Sequence, residues 1–317
     1  MATFDLSRAT IRRPSPLRRL VGLLPLSLLR HIYFFRATGS WGNFHNPQTF
    51  GEKMQWRIID DRRPMLRSAA DRLANRETVA ARARAANIEI ALPELLAFAD
   101  SADELIMKLR ELERHSALPT RWLIKPNNSS GELLVIDGAP DWDEVRTIAS
   151  RWRRPGVLET THWLWANSQA RRGLIAETWI GSPDEAPEEW KMFTIGGEPH
   201  FYVVARRNVT GSTRIHLSSD WVEMESWHHH PTARLEMRQP PPYRSEMDRA
   251  ARVLARGWDF LRVDLYYADG KVWFGELTPY PSEGLLRATP GGAVFDDLVG
   301  RLWQLPQESG SSVARHE

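Results

Sequence analysis

The stretch that decides the fold runs from Arg262 to Thr278 and reads RVDLYYADGKVWFGELT. Two alternating runs, rich in β-branched and aromatic residues, flank an Asp-Gly pair, which is the strongest short-range signal for a β-hairpin. Counting outward from that turn brings Asp264 and Glu276 together near the open end of the hairpin. Two neighbouring carboxylates repel each other unless a cation lies between them, and such hard oxygen ligands suit Mg²⁺ that is shared with phosphates. The stretch predicts a metal-binding hairpin, with a solvated acidic face as the alternative.

Lysine is rare in this arginine-rich chain, which has 42 Lys+Arg but only five lysines. Lys125 ends a strand-like run and is followed by a loop of small residues, Pro126 to Gly131, and then by a second apolar run. Such a strand–loop–strand presents backbone N–H groups to a phosphate, and the lysine adds a compact positive charge. The loop is not a Walker motif, and an ordinary β-turn is the alternative. Lys191 repeats the arrangement, in a strand that follows a polar loop.

These elements, in this order, resemble the ATP-grasp superfamily, and in particular its TupA-like branch, named for an enzyme of teichuronopeptide synthesis. The resemblance extends from about Leu24 to about Ala293. Its most specific marker is NPQTFGEKMQW at residues 46–56. The later markers are LIKPN at 123–127, IAE at 175–177, WKMF at 190–193, RVD at 262–264 and FGELT at 274–278. Six markers in the family's order argue against coincidence.

The resemblance implies an α/β (α+β) ATP-grasp fold, in which a nucleotide is held between two lobes built on antiparallel or mixed sheets, with a helical N-terminal region. We expect a disordered N-terminus over 1–16, a mainly helical region over 17–115, a small lobe with the phosphate loop over 116–185, a large lobe with the metal site over 186–305 and a mobile tail over 306–317. Helices are predicted over 17–36, 48–59, 64–86, 101–115, 141–153 and 245–257, the last from its helical spacing of apolar residues.

The implied activity is that of an ATP-dependent carboxylate–amine ligase that forms an amide or peptide bond through an acyl phosphate. Its cofactors would be ATP and Mg²⁺, and its partners a carboxylate substrate and an amine acceptor: an amino acid, a peptide, a sugar or a polymer. Cell-surface polymer or natural-product biosynthesis is the implied setting. Two alternatives stay open, a kinase of a small molecule or sugar and a non-catalytic binding protein of the same fold.

The resemblance also assigns roles to residues. Asp264 and Glu276 are the metal carboxylates. The catalytic assignments are Lys125, Arg206 and Arg262, of which Arg262 stabilises the acyl phosphate. A solvated surface position is the alternative for Arg206, as it is for Arg207 and Arg214 among the substrate assignments. The nucleotide assignments are Lys125, Asn127, Ser129, Ser130, Gly131, Glu177, Thr178, Trp179, Ile180, Glu189 and Lys191, with Glu188 as the alternative to Glu189 for the ribose. The substrate assignments are Arg207, Arg214, Thr278, Ser282 and Gly284.

Two positions depart from the superfamily pattern. Thr278 stands where a third metal ligand is often asparagine, and Ser282 follows Pro281 where glycine is usual. The Cβ of a serine changes the backbone options of an oxyanion-binding turn, which puts the second half-reaction in question.

Composition narrows the remaining possibilities. The chain has no cysteine, which excludes disulfides, thiolate catalysis and Cys-ligated zinc and fits a reducing compartment such as the cytoplasm. A net charge of +2 gives no reason to expect a nucleic-acid partner. Arginines precede an apolar run at residues 20–29, but Pro25 interrupts that run, which falls short of the ~20 residues that a spanning helix needs. We interpret it as a folded helical element, with a peripheral membrane contact as the alternative.

Overall fold

The structure is a computed structural model that describes residues 24–129, 132–153, 164–181, 187–208, 211–227, 233–286 and 289–306. Predictions for residues 1–23, for Ser130 and Gly131, and for the tail from 307 lie outside the described residues, as does the side chain of Arg207.

The helices of these ranges are Leu26–Thr38 (α1), Phe50–Ile59 (α2), Pro64–Ala70 (α3), Arg72–Ala85 (α4), Ala102–Arg114 (α5), Trp142–Arg153 (α6), Trp165–Gln169 (α7), Arg244–Ala255 (α8) and Pro290–Leu302 (α9). The strands are Leu95–Ala99 (β1), Arg121–Pro126 (β2), Leu134–Asp137 (β3), Leu174–Thr178 (β4), Glu188–Ile195 (β5), Glu198–Asn208 (β6), Gly211–Ser218 (β7), Ala233–Arg234 (β8), Phe260–Ala268 (β9) and Lys271–Thr278 (β10). A 3₁₀ turn covers Pro281–Gly284.

The strands form two sheets. The small sheet has the order β1-β4-β2-β3, and the large sheet has the order β10-β9-β5-β6-β7-β8. All neighbouring strands are antiparallel except β7 and β8. Helices α5 and α6 pack on the small sheet, and α8 packs on the large sheet. The predicted α/β class, with two sheets and a helical N-terminal region, is confirmed. None of the described helices is long and apolar enough to cross a membrane.

The 46–56 marker docks the N-terminal helices onto the C-terminal part of the chain. Thr49 and Glu52 form a capping box that starts α2. Lys53, nearly buried, donates from Nζ to the carbonyls of Gly300 and Trp303 at 2.8 and 2.7 Å, where a cation meets the negative end of α9. This lysine is therefore retained for a structural reason.

The same helices hold a strained turn in place. Ser282, Glu283 and Gly284 have φ angles of 51°, 53° and 65°, a left-handed conformation that costs non-glycine residues free energy. The fully buried Arg30 donates to the Glu283 carboxylate at 2.6 Å and to its carbonyl at 3.2 Å. Gln55 donates to the same carbonyl at 2.6 Å and accepts from Arg30 at 2.7 Å. These bonds to α1 and α2 stabilise the turn.

The structure differs from the predicted elements at four places. The helix predicted over 64–86 is two helices, because Asp71 is extended and its carboxylate caps α4 by accepting from the Ala74 N–H. Strand β1 and helices α7 and α9 were not predicted. Because β1 pairs with β4, the small sheet takes in residues that the sequence had placed in the helical region.

Candidate active site

The predicted metal-binding hairpin is formed by β9 and β10. Asp269 and Gly270 close it with φ angles of 54° and 69°, the positive values that a two-residue hairpin turn requires. The pairing is regular near the turn, and Gly275 then forms a bulge in β10. Beyond the bulge Glu276 lies directly opposite Asp264, so both side chains project from one face of the large sheet.

Arg262 joins the two carboxylates. Its Nε and Nη2 donate to Oδ1 and Oδ2 of Asp264, both at 2.7 Å, and Nη2 also lies 3.1 Å from Oε1 of Glu276. Nη2 is equally close to Oγ1 of Thr278. A paired guanidinium–carboxylate contact is both strong and directional, so Arg262 fixes the spacing of the acidic pair.

Lys191 lies beside this acidic pair, on the neighbouring strand β5. It is paired directly with Asp264, and its Nζ lies 3.3 Å from Oδ2 of that residue and 2.5 Å from Oε1 of Glu189. Glu276, Asp264 and Lys191 thus form one cross-strand row on β10, β9 and β5.

Lys125 approaches the row from the small sheet. Its Nζ donates to Oε1 of Glu177 on β4, and Arg76 lies 3.6 Å from the other oxygen of that carboxylate. Lys125 is also among the cations that lower the pKa of Glu276. The two predicted lysines thus both lower the pKa of Glu276.

Arg72 is a site residue that the sequence reasoning missed. Its Nη1 donates to the carbonyl of Pro126, at 2.9 Å, and to that of Ser129. Its Nη2 donates to Oε2 of Glu276 at 2.9 Å. One guanidinium from the N-terminal helices therefore ties the predicted phosphate loop to Glu276, one of the two predicted metal carboxylates. No local pattern distinguishes Arg72 from the other arginines around it; only its position at the start of α4, after the Asp71 cap, could have suggested a special role.

Charge balance in the row is uneven. Burial raises the pKa of Glu276, but Arg72, Arg262 and two lysines outweigh that effect and bring its pKa to about 2. Burial also raises the pKa of Asp264, and there Arg262 and Lys191 offset the effect only in part. Burial lowers the pKa of Arg262, but Asp264 and Glu276 more than compensate and raise it. Asp264 is therefore the carboxylate at which the cations offset the effect of burial less completely.

The donor set fits a hard divalent cation. Two carboxylates on paired strands offer the oxygen ligands that Mg²⁺ takes, together with phosphate oxygens and water. A cation there would replace part of the neutralisation that Arg262 supplies. No group of three or more acidic or histidine side chains suited to a metal occurs in the described ranges, so the pair would need ligands from a bound nucleotide.

Asn127 serves the protein itself. Its side chain is fully buried, and Nδ2 donates to Oδ1 of Asp71 at 2.9 Å and to the carbonyl of Arg171 at 2.7 Å. Its Oδ1 accepts from the N–H of Leu73 at 2.8 Å. A nucleotide contact would have to break one of these bonds, so the side chain of Asn127 positions the loop.

Some polar groups of the segment assigned to adenine also form hydrogen bonds within the protein. The N–H of Thr178 donates to the carbonyl of Glu94, and its Oγ1 accepts from the N–H of Glu94, both at 3.0 Å. The guanidinium of Arg121 lies 4.4 Å from the centre of the Trp179 ring. Adenine contacts at Trp179 and Ile180 stay predictions, and Thr178 is not free to offer its N–H.

Arg206 lies on the other face of the large sheet. It pairs with Glu188, whose carboxylate accepts from its Nε at 2.8 Å. Because side chains alternate along a strand, Glu188 faces away from Glu189 and Lys191. The structure thus does not bring Arg206 to Asp264, which removes the geometric basis for its catalytic assignment.

Among the residues assigned to the substrate, Arg214 lies on strand β7, and Ser282 and Gly284 lie on the 3₁₀ turn. Arg214 is paired with Ala205, which is paired with Glu189, so Arg214 shares the face of the metal pair. Ser282 is exposed on the strained turn and Gly284 is buried in it. Their contacts with a substrate stay predictions.

Comparison with known families agrees with this geometry. The sequence profile of the family described as TupA-like ATPgrasp matches residues 110–303, which is more than half of the chain. The chain therefore belongs to the TupA-like ATP-grasp family, and the predicted membership is confirmed. No curated protein matches the chain in sequence.

Solved structures resemble the chain at low identity. A D-alanine–D-alanine ligase from Bacillus anthracis, complexed with ATP, is 16% identical, with a TM-score of 0.38, over 68% of this chain and 55% of that one. The corresponding ligase from Helicobacter pylori is 10% identical, with a TM-score of 0.42, over 75% of this chain and 62% of that one. The D-cycloserine synthetase DcsG is 13% identical, with a TM-score of 0.40, over 76% of this chain and 69% of that one. The chain thus spans about half the length of the first of these ligases, and the family profile carries the assignment.

Proposed function

We propose that this chain is an ADP-forming carboxylate–amine ligase. The substrate carboxylate would attack the γ-phosphate of ATP, with ADP as the leaving group, and an amine would then displace phosphate from the acyl phosphate. The amine acceptor is an amino acid, a peptide, a sugar or a polymer. A biosynthetic role in the cytoplasm belongs to the same proposal.

The observation that carries the proposal is the row Glu276–Asp264–Lys191, closed by Arg262 and faced by Lys125. Transfer between two anions needs positive charge placed in advance around them. Here the cations are held on strands rather than on exposed loops, and each is paired with a carboxylate. This arrangement keeps them oriented while the site is closed to water.

Each residue has a distinct proposed role. Mg²⁺, held by Asp264 and Glu276, would neutralise phosphate charge. Lys125 and Lys191 would exchange their carboxylate partners for phosphate oxygens. Arg262 would turn part of its guanidinium toward the acyl oxygen, where negative charge develops.

The lobes divide accordingly. We propose a small lobe built on β1–β4 and a large lobe built on β5–β10, with Arg72 of α4 bonded to both. In this proposal the small lobe includes β1, so it begins earlier in the chain than the boundary at residue 116 that we expected from the sequence.

Turnover of the purified chain tests the proposal. Incubation with Mg·ATP and amino-acid pools should release phosphate and ADP and yield a condensed product. Asp264→Asn should lower turnover by about a hundredfold, as losing a major electrostatic stabiliser does. Asp269→Asn, the same change in the exposed turn of the hairpin, should have no effect, because asparagine tolerates a positive φ.

The products separate the alternatives. A stable phosphorylated product without phosphate release identifies a kinase. Absence of Mg·ATP binding in calorimetry identifies a binding protein that kept the fold. Normal turnover in a folded Asp264→Asn variant contradicts the metal assignment.

A further inference from the structure

One face of helix α1 exposes large apolar side chains. Leu28 and Phe35 are 39% and 51% exposed, and their seven-residue spacing puts them on one side of the helix. Trp41, just beyond the helix, is 54% exposed and stacks on His31, with ring centroids 5.2 Å apart. We call Leu28, Phe35 and Trp41 the α1 face. Clustered exposed apolar groups of this size mark interaction surfaces.

The opposite side of α1 is fixed to the protein. Leu29 and Phe34 are buried, and Arg30 is bonded to Glu283 and Gln55. The helix therefore cannot rotate to bury the α1 face without breaking an ion pair to a fully buried guanidinium.

Charge is distributed unevenly along the sequence. Residues 1–41 contain seven arginines and a single acidic residue, Asp5, whereas residues 42–317 contain 35 Lys+Arg and 39 Asp+Glu. The first segment thus carries a net charge of +6, and the rest of the chain carries −4. Five of the seven arginines precede residue 20, immediately before the α1 face in the sequence.

We propose that the α1 face binds an anionic lipid membrane, for which the five arginines before residue 20 supply the opposite charge. Leucine, phenylalanine and tryptophan side chains enter the boundary between headgroups and acyl chains, where tryptophan is enriched. The arginines pair with lipid phosphates, and clusters of four or more basic residues beside an apolar helix are typical of such binding.

Charge argues against a second copy as the occupant. Two α1 faces in contact would bring two +6 segments together, and like charges at an interface oppose association. An anionic membrane supplies both the apolar layer and the opposite charge. On such a membrane α1 would lie between the lipid and the turn at Glu283, which would be about one helix diameter, ~10 Å, from the surface.

Vesicle sedimentation with the full chain tests the proposal. Vesicles with about one third phosphatidylglycerol should bind the chain, vesicles of phosphatidylcholine alone should not, and added salt should release it. Combined Leu28→Ser, Phe35→Ser and Trp41→Ser should weaken binding by about tenfold or more. The matched control is Val294→Ser with Leu298→Ser and Leu302→Ser, which removes an exposed apolar stripe on α9 and should leave binding unchanged.

A second set of variants keeps the test informative if the serine variant does not fold. Replacing Arg12, Arg13, Arg18 and Arg19 by glutamine leaves every described side chain intact and should also abolish binding to anionic vesicles. Since the chain has no cysteine, Phe35→Cys and Leu298→Cys can each carry one environment-sensitive dye. Only the dye at position 35 should shift to the blue when anionic vesicles are added.

Three results would overturn the proposal. The first is equal binding to neutral and anionic vesicles, or none to either. The second is an equal loss in the α9 control. The third is a blue-shifted dye at position 35 without vesicles, or a change from dimer to monomer in the serine variant, since either places protein on the α1 face.

Discussion

Glu276 is paired directly with Asp264, although a regular hairpin from the Asp269-Gly270 turn would pair Asp264 with Gly275. A shift of one residue turns every following side chain to the other face of a strand. The bulge at Gly275 supplies that shift, so both carboxylates reach the same side. A Cβ on Gly275 would lie 2.8 Å from the Asp264 carbonyl oxygen and from Cε2 of Tyr266, so only glycine fits.

Gly275→Ala should therefore disrupt the metal pair. We expect a loss of stability of about 1–3 kcal/mol from the overpacked bulge and a fall in Mg²⁺-dependent turnover of about a hundredfold. The control is Gly257→Ala, where an added Cβ meets no atom within 4 Å but φ is +80°. This variant should lose stability and keep its turnover per folded molecule. Equal turnover in the two variants would mean that the bulge does not set the site.

Arg72 should couple the phosphate loop to the rest of the site. In Arg72→Ala the carbonyls of Pro126 and Ser129 lose their donor, so amide hydrogen exchange at residues 127–129 should become faster. Stability should fall by about 1.5–3 kcal/mol, the range for hydrogen bonds to charged groups. Arg84→Ala, an exposed position on the same helix, should leave the exchange unchanged. Faster exchange in both variants would indicate a general effect on α4.

The sequence predicted the hairpin, the two lysines and the fold class because those depend on local patterns: a turn dipeptide, alternation and ordered markers. It did not predict the bulge, because the preference of Gly275 for a close backbone contact is visible only once β9 is beside it. It missed Arg72 because this helix residue reaches the site only when α4, the loop after β2 and strand β10 are packed together. It could not place Arg206 on a face of β6, because the face of a strand depends on register, which the sequence leaves open by one residue.

Arg262 should set the acid limit of activity. It lowers the pKa of both Asp264 and Glu276, so in Arg262→Ala both values should rise and the carboxylates should ionise only at higher pH. The acid limb of the pH–rate profile should therefore move to higher pH, with a loss of about a hundredfold in turnover at its plateau. Arg262→Lys keeps one positive charge and should move the limb less. An unmoved acid limb in Arg262→Ala would contradict the coupling.

His216 should make the stability of the fold depend on pH. It is paired with Val203, which is paired with Lys191, so it shares the face of the metal row, and it is buried. Burial and the nearby Arg214 lower its pKa to about 4, although Glu223 acts in the opposite direction. The unfolded chain, with an ordinary histidine pKa, therefore binds the proton more readily than the folded chain does. The stability that His216 contributes is complete above about pH 6.5 and is lost as the pH falls toward 4.

His216→Gln removes this titration. Between pH 7 and pH 4 the parent should lose ~3 kcal/mol more stability than the variant, from a difference of about 2.5 pKa units. Denaturant unfolding of both proteins at the two pH values gives the difference. The pKa of Glu223, which His216 helps to lower, should also change in the variant. The loss should be reversed when the pH is restored, because it reflects protonation. If parent and variant lose equal stability, His216 is already protonated in the folded chain or is open to solvent at pH 4.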